Sequence, residues 1–118
     1  MADRGVLDLT RLEEAFEDDV EGIATLLEMA LETGQKHRRA LTDGLAAGDA
    51  AVVARAAHGI KGSAGNIGAN AVYLLASDLD ARARLGNLAG ARERAQAIDA
   101  EYERVTKEVR AYRAKLPG

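Results

Sequence analysis

Residues 57–69, AHGIKGSAGNIGA, hold the side chains of this chain that are best suited to chemistry. His58 carries an imidazole whose usual pKa of about 6.5 leaves much of it uncharged, and therefore nucleophilic, near neutral pH. Lys61 follows about one helical turn later, where an ammonium group would neutralise charge on a transferred group. Phosphorus is a suitable electrophile, because phosphoryl transfer depends on in-line positioning and on stabilising the phosphoryl oxygens. The pattern favours phosphoryl transfer through His58.

Helical geometry places His58 on the outer side of its helix. At about 100° per residue, an apolar seam falls on the side of the helix opposite His58, formed by Val53, Ala56, Ile60, Ala64 and Ile67. A second set lies within about 60° of His58 and is predicted to surround it on an outward face: Ala51, Ala54, Arg55, Lys61, Gly62 and Gly65. Ser63 lies about 140° from His58, so the two cannot act as a nucleophile and its base.

The glycines near His58 weaken the helix that carries it. Each glycine in a helix interior costs about 1 kcal/mol relative to alanine, so Gly59, Gly62 and Gly65 together forfeit roughly 3 kcal/mol. That loss is large against a typical total stability of roughly 5 to 15 kcal/mol. Gly62 and Gly65 lie one and two turns beyond His58, with no side chain to block an approaching surface. We therefore expect a second protein to dock on this face.

Hydrophobic periodicity divides the chain into a short first helix and four longer helices. Thr10 and Glu13 have the spacing of a capping box, and Asp18 with Glu21 indicates the next start. The first helix is expected to cover one end of a bundle with Leu9, Leu12 and Phe16. The second helix is predicted to end near Gly48. Its inward-facing seam is predicted to be Val20, Ile23, Leu27, Ala30, Gly34, Arg38, Leu41 and Leu45. Gly34 and Arg38 match the apolar pattern weakly.

The remaining three helices follow after short turns. Asp49 is predicted to cap the third, which runs from about Ala50 into the glycines. The fourth is expected to begin after Asn70, to continue to Gly86 and to bury Val72, Leu75, Leu79 and Ala83. The fifth has the strictest periodicity and is predicted to end at Pro117, with the seam Ala91, Ala95, Ile98, Tyr102, Val105, Val109, Tyr112 and Leu116.

Composition indicates one all-α domain over residues 1–118. The chain has 118 residues, 47% hydrophobic and 3% aromatic, with a single proline. Four substantial helices with short connections predict an up-down-up-down four-helix bundle with a short N-terminal helix. A three-helix bundle or a dimeric bundle built from the same segments is the alternative, and we expect a monomer.

Charge and composition narrow the classes of partner and site. The net charge of −3 gives little support to nucleic-acid binding, so a protein partner is expected. The absence of cysteine excludes a thiolate metal site or a thiol nucleophile, and two histidines without metal-ligand spacing argue against a metal site. No signal core or membrane-spanning run is present, so we expect no membrane association and a cytoplasmic location. His37 has no comparable pattern around it and is interpreted as structural or exposed.

The motif resembles the signature of histidine-containing phosphotransfer (HPt) domains, approximately His-x-x-Lys-Gly-Ser/Ala-Ser/Ala-x-x-x-Gly-Ala. The matching positions are His58, Lys61, Gly62, Ser63, Ala64, Gly68 and Ala69. The resemblance implies that His58 accepts a phosphoryl group from the aspartyl phosphate of a receiver domain, on a hybrid kinase or a response regulator, and passes it to another receiver. It also implies that Lys61 supports the phosphoryl group and that Gly62 and Gly65 keep the docking face open. Helical geometry adds Arg55, Ala51 and Ala54 to the predicted docking face.

The same resemblance implies a carrier without kinase or ATPase activity of its own. No cofactor is then expected on this chain, since the Mg²⁺ would belong to the partner receiver. Two positions depart from the family pattern: Gly59 replaces a threonine, serine or alanine, and Asp80 lies where many relatives have a longer glutamine or glutamate that orients the imidazole. Asp80 is therefore the candidate for that orientation here.

Two alternatives remain open. The bundle would act purely as an interaction module if it kept the fold without using His58. The chain would instead be the phosphoacceptor domain of a chemotaxis-type kinase if its donor were an ATP-binding domain of the same protein. Capping signals at both ends and the final Leu-Pro-Gly favour an independent protein.

Overall fold

A computed structural model describes residues 6–115, and over that range every regular element is a helix. The five helices are α1 (Thr10–Ala15), α2 (Val20–Ala47), α3 (Ala50–Asn66), α4 (Asn70–Arg84) and α5 (Ala91–Ala114). Successive long helices pack against each other, α5 closes the ring on α2, and α1 packs on α2. The predicted four-helix bundle with a short N-terminal helix is confirmed. Within residues 6–115, no helix has the length and apolar character needed to cross a membrane.

The core lies where the seams of the four long helices meet. All five positions predicted opposite His58 on α3 are buried, from Val53 to Ile67. On α5 the inward residues Ile98, Tyr102, Val105 and Val109 are buried, which confirms the strict periodicity of that segment. The helix ends at Ala114, with Lys115 as its C-cap, so it is shorter than the predicted helix that ran to Pro117. Leu116 and Pro117 themselves lie outside the described residues.

The N-terminal boundaries differ from the prediction. Thr10 is the first residue of α1 rather than its cap, because the Asp8 carboxylate already accepts a hydrogen bond from the Thr10 backbone N–H at 3.1 Å. Asp19, not Asp18, caps α2 and accepts from Gly22 N–H at 3.2 Å. Asp18 instead has a left-handed backbone, with φ of 62°, in the turn between the two helices.

Two apolar side chains at this end are also more exposed than predicted. Val20 is 40% exposed, because it lies in the first turn of α2 and the buried part of the seam begins at Ile23. Phe16, the C-cap of α1, is 36% exposed, whereas Leu12 of the same helix is buried. The cover that α1 provides therefore depends on Leu12 more than on Phe16.

The α2–α3 turn forms as predicted. Gly48 ends α2 in the left-handed conformation, with φ of 66°, which glycine adopts without steric cost. The Asp49 side chain accepts from Ala51 N–H at 3.1 Å and from Val52 N–H at 3.2 Å, so it caps α3. This cap sets the start of the helix that carries His58.

The two weak seam positions of α2 accommodate one tyrosine of α5. Gly34 is buried because the Tyr102 hydroxyl occupies the space that a side chain would need. Arg38 lies over the Tyr102 ring, 4.7 Å from its centroid, and pairs with Asp99 at 2.9 Å. Arg38 thereby covers the ring while its charged end stays near solvent.

A shared hydrogen-bond acceptor fixes the rotation of α3. The Ala30 carbonyl of α2 accepts from Ser63 Oγ at 3.0 Å and from Tyr102 Oη at 3.3 Å. Ser63 therefore faces the core, where a buried hydroxyl needs such a partner. With Ser63 turned inward, His58 is carried on the outer side of α3.

Candidate functional site

His58 lies on the rim of an open groove formed by α2, α3 and the end of α4. Its side chain is 63% exposed. The groove has a volume of about 980 Å³, and alanine is the commonest residue of its lining. Its charged or titratable lining residues are His37, Arg55, His58, Asp80 and Arg84. The site therefore combines an accessible imidazole with an apolar surface large enough to contact a partner.

Asp80 of α4 holds one side of the imidazole. Its carboxylate Oδ2 lies 3.3 Å from His58 Nδ1, and its side chain is 5% exposed. The shorter side chain of aspartate therefore reaches the ring. Because Nδ1 is turned toward Asp80, Nε2 on the opposite edge of the ring points away from this contact. Nε2 is the nitrogen available to an external group.

Arg84 completes the cluster and was not among the predicted site residues. Its Nε lies 2.8 Å from Asp80 Oδ1, its Nη2 lies 3.3 Å from Asp80 Oδ2, and the same Nη2 lies 3.4 Å from His58 Nδ1. Asp80 and Arg84 have the i, i+4 spacing of a helical ion pair, which is the sequence signal that would have found Arg84. Its side chain is 61% exposed, so it reaches the surface beside His58.

The pKa of Asp80 reflects two opposing effects. Burial is the largest of the individual effects, and it would raise the pKa of Asp80 because it disfavours the charged carboxylate. Hydrogen bonds from Arg84 and then His58, with their positive charges, together outweigh burial and hold the pKa of Asp80 below its ordinary value. The ion pair also raises the pKa of Arg84. Asp80 is thus an ionised carboxylate that accepts hydrogen bonds.

Lys61 occupies a different position from the one its spacing suggested. Its Nζ lies over the Tyr73 ring of α4, 5.7 Å from the centroid, an arrangement typical of a cation–π contact. It is not among the described residues that line the groove. The structure therefore brings Arg84, rather than Lys61, to the Asp80–His58 pair.

The three glycines of α3 have different surroundings. Gly62 is exposed, and a Cβ atom there would meet nothing within 4 Å. A Cβ atom at Gly65 would lie 3.3 Å from the Tyr73 ring, so this position is partly covered. Gly59 faces the ring of His37, where a Cβ atom would lie 2.4 Å from Cε1. Open access thus applies to Gly62 more fully than to the other two.

The predicted docking residues divide between the groove and its extension along α3. Ala51, Ala54 and Arg55 line the groove, and Ala51 and Arg55 are exposed. Gly62 and Gly65 lie beyond His58 on the same helix, outside the groove lining. Within residues 6–115, no three His, Asp or Glu side chains converge in a way that would hold a metal ion.

The chain is similar to known proteins in sequence and in fold. The family model of the Hpt domain matches residues 25–108, so the chain belongs to the Hpt domain family. A similar solved structure is that of histidine-containing phosphotransfer protein B (HptB) from Pseudomonas aeruginosa PAO1, with a TM-score of 0.84 and 27% sequence identity. The match covers 99% of this chain and 96% of that one. A search of curated protein sequences finds no match.

Family membership and the shared fold assign the chain to histidine phosphotransfer in two-component signalling. The matched range includes α3 and α4 and therefore His58, Asp80 and Arg84.

Proposed function

We propose that this chain is a phosphoryl carrier whose His58 accepts a phosphoryl group from the aspartyl phosphate of one receiver domain and passes it to another. The observation that carries the proposal is the presentation of one ring nitrogen. His58 is 63% exposed, its Nδ1 lies against the buried Asp80 carboxylate, and its Nε2 points away from that contact. An unprotonated, accessible Nε2 is a competent nucleophile.

The transfer step uses the lone pair of Nε2. This pair attacks phosphorus in line, the N–P bond forms, and the P–O bond to the aspartyl carboxylate breaks with its electrons leaving on that carboxylate. The second transfer runs the same step in reverse toward another receiver. Mg²⁺ would be supplied by the receiver, and the groups of this chain would bind the phosphoryl oxygens.

Arg84, beside His58, and Lys61, one helical turn away, are the cations proposed to bind these oxygens. Arg84 Nη2 is near the ring, and the exposed guanidinium has N–H groups beyond those that contact Asp80. Lys61 lies on α3, one turn from His58, with a flexible side chain that would turn from Tyr73 toward the phosphoryl oxygens. Both would reduce the negative charge that builds up during transfer.

The groove next to His58 is the proposed receiver-docking surface. Alanines supply apolar surface in the groove, while Arg55 and Arg84 add positive charge to its lining. A receiver that carries an acidic phosphorylation pocket has the complementary charge. Gly62, exposed and without a side chain, lets the partner approach along α3 beyond the histidine. The proposal treats the carrier as a monomer.

Incubation with a phosphorylated receiver domain tests this function. The wild-type protein is expected to gain acid-labile phosphate, and His58→Gln is expected to gain none. His37→Gln is the matched histidine control: it keeps His58 and is expected to become labelled, and any change in its rate alone would reflect its place in the lining of the docking groove. Label on His58→Gln, or no label on wild type from any receiver of the source organism, would refute the proposal.

A second incubation separates a carrier from a kinase. With Mg²⁺–ATP alone, the purified chain is expected to remain unlabelled, since the proposal gives it no nucleotide chemistry. A bundle that served purely as an interaction module would bind receivers without acquiring phosphate. Binding measured in parallel with labelling distinguishes these outcomes.

A further inference from the structure

We propose that the Tyr73 ring holds the ammonium group of Lys61 away from His58 until a phosphoryl group arrives, so that Tyr73 is a positioning residue for that lysine. The consequence for phosphoryl transfer rests on the function proposed above. The structural basis is a contact between two helices. Lys61 Nζ of α3 lies 5.7 Å from the centroid of the Tyr73 ring of α4.

Gly65 of α3 provides the place where this ring rests. A Cβ atom at Gly65 would lie 3.3 Å from Cδ2 and 3.4 Å from Cε2 of Tyr73, closer than the best separation of two carbon atoms. An alanine there would therefore push the ring outward. Tyr73 is 37% exposed, so the ring packs against α3 and still offers surface to the lysine. Gly65 thus has a second role besides the access predicted from the sequence.

The backbone of α3 would by itself direct Lys61 toward His58. In an α-helix the Cα–Cβ bonds tilt toward the N-terminus, and long side chains lie over the preceding turn. For Lys61, the preceding turn is the one that carries His58. The Tyr73 ring lies instead beside Gly65, on the turn that follows Lys61. The ring therefore draws the ammonium group in the opposite direction along the helix.

Lys61 has no anionic partner in the part of the chain that the structure describes. None of the ion pairs over residues 6–115 includes it. Asp80, the carboxylate in contact with His58, pairs with Arg84. An exposed cation–π contact is weak, about two- to fivefold in an equilibrium constant, whereas charge-assisted hydrogen bonds to phosphoryl oxygens are stronger. The ring thus holds the lysine in the unphosphorylated protein and gives way to a phosphoryl group.

This arrangement makes release of Lys61 part of the barrier to transfer. The ammonium group must leave the ring before it neutralises the phosphoryl oxygens. An interaction that is present in the ground state and lost in the transition state lowers the rate. The aromatic ring at Tyr73 therefore keeps transfer slower than the same chain would achieve without it. A residue that simply contacted the receiver would have the opposite effect on the rate.

Replacement of the ring tests the direction of this effect. In Tyr73→Leu the side chain stays apolar but has no aromatic face, so Lys61 is expected to turn toward the preceding turn of α3. Transfer from a saturating phosphorylated receiver is expected to speed up about two- to fivefold. Tyr73→Phe keeps the ring and is expected to transfer at the wild-type rate. In a Lys61→Ala background, Tyr73→Leu is expected to give no acceleration, because no ammonium group remains to be released.

A second readout needs no phosphate. An aromatic ring shifts the NMR resonances of protons held over its face, so the Cε protons of Lys61 report the contact in the unphosphorylated protein. The shift is expected in wild type and Tyr73→Phe, to be smaller in Gly65→Ala, and to be lost in Tyr73→Leu. Leu74→Ala is the matched control: this neighbouring side chain of α4 is apolar and 67% exposed, and its removal is expected to leave the Lys61 resonances unchanged.

The outcomes separate this inference from the function on which it rests. The inference fails if Tyr73→Leu slows transfer, if its acceleration persists in the Lys61→Ala background, or if it leaves the Lys61 resonances unchanged. A wild-type protein that shows the Lys61 shift but gains no phosphate from any receiver would instead refute the proposed function, since the spectra are recorded without phosphate.

Discussion

His37 of α2 and Gly59 of α3 fit directly against each other. A Cβ atom at position 59 would lie 2.4 Å from Cε1, 2.5 Å from Nδ1 and 2.6 Å from Cγ of His37. Gly59 directly follows His58, so the ring of one histidine rests on the backbone that carries the other. The missing side chain thus sets how closely α2 approaches α3 beside the groove, and it explains the departure from the family pattern at this position.

Gly59→Ala is expected to lower the free energy of unfolding by about 1 to 3 kcal/mol, although alanine is the better helix former. The reason is that the clash includes Cγ, near the root of the His37 side chain, which cannot swing away cheaply. Chemical denaturation of single and double variants measures the effect. In a His37→Ala background the same substitution is expected to be neutral or stabilising. Equal losses in both backgrounds would contradict the packing.

Much of the fold could be predicted because it depends on periodicity within single helices. The buried side of α3 and the seam of α5 follow from spacing alone, as does the outward position of His58. Contacts between helices depend on their relative register, which no pattern within one helix encodes. Asp80 and Arg84 are 22 and 26 residues from His58, and His37 faces Gly59 across another interface.

In the candidate site, too, the features that depend on packing between helices could not be predicted from the sequence. The family resemblance pointed to Asp80 as the residue that orients His58. Because aspartate is shorter than the glutamine or glutamate of the relatives, only the packing of α3 on α4 shows that its carboxylate reaches His58 Nδ1. Lys61 has the spacing of a partner for His58, yet Tyr73 provides an aromatic face that attracts its ammonium group. The start of α2 differs by one residue from the prediction because Asp18 and Asp19 can both cap a helix. The left-handed turn at Asp18 leaves Asp19 as the cap.

Gly62→Leu is expected to slow transfer at least about tenfold without unfolding the bundle. A Cβ atom at this position meets nothing within 4 Å, so the larger side chain would extend into solvent and obstruct a docking receiver. Gly62→Ala is the matched control, and it should raise the free energy of unfolding by about 1 kcal/mol with a smaller effect on transfer. The transfer rate is measured by stopping the reaction with a receiver at successive times, and stability is measured by thermal unfolding, for both variants. An unchanged rate for Gly62→Leu would show that receivers do not cover this position.

Lys61→Ala is expected to slow transfer about tenfold while leaving the extent of folding unchanged. Its ammonium group contacts the exposed Tyr73 ring rather than the core, so its removal costs little stability. Lys61→Arg should retain part of the rate because the positive charge remains. Lys107→Ala, on the exposed surface of α5, controls for a general change in charge. Equal rates for Lys61→Ala and Lys107→Ala would remove Lys61 from the mechanism.

Asp80 is expected to make stability depend on pH in the acid range. Burial opposes its charge, but hydrogen bonds from Arg84 and His58 hold its folded-state pKa below the ordinary 3.8. Its ionised form therefore stabilises the fold above that pH, and the contribution is lost as the pH falls through the folded-state pKa. The difference in free energy of unfolding between wild type and Asp80→Asn should shrink over this range in denaturation experiments. The corresponding difference for exposed Asp78→Asn should weaken more on adding salt, because solvent screens its ion pairs. A difference for Asp80→Asn that stays constant with pH would mean that its carboxylate is not stabilised in the folded state.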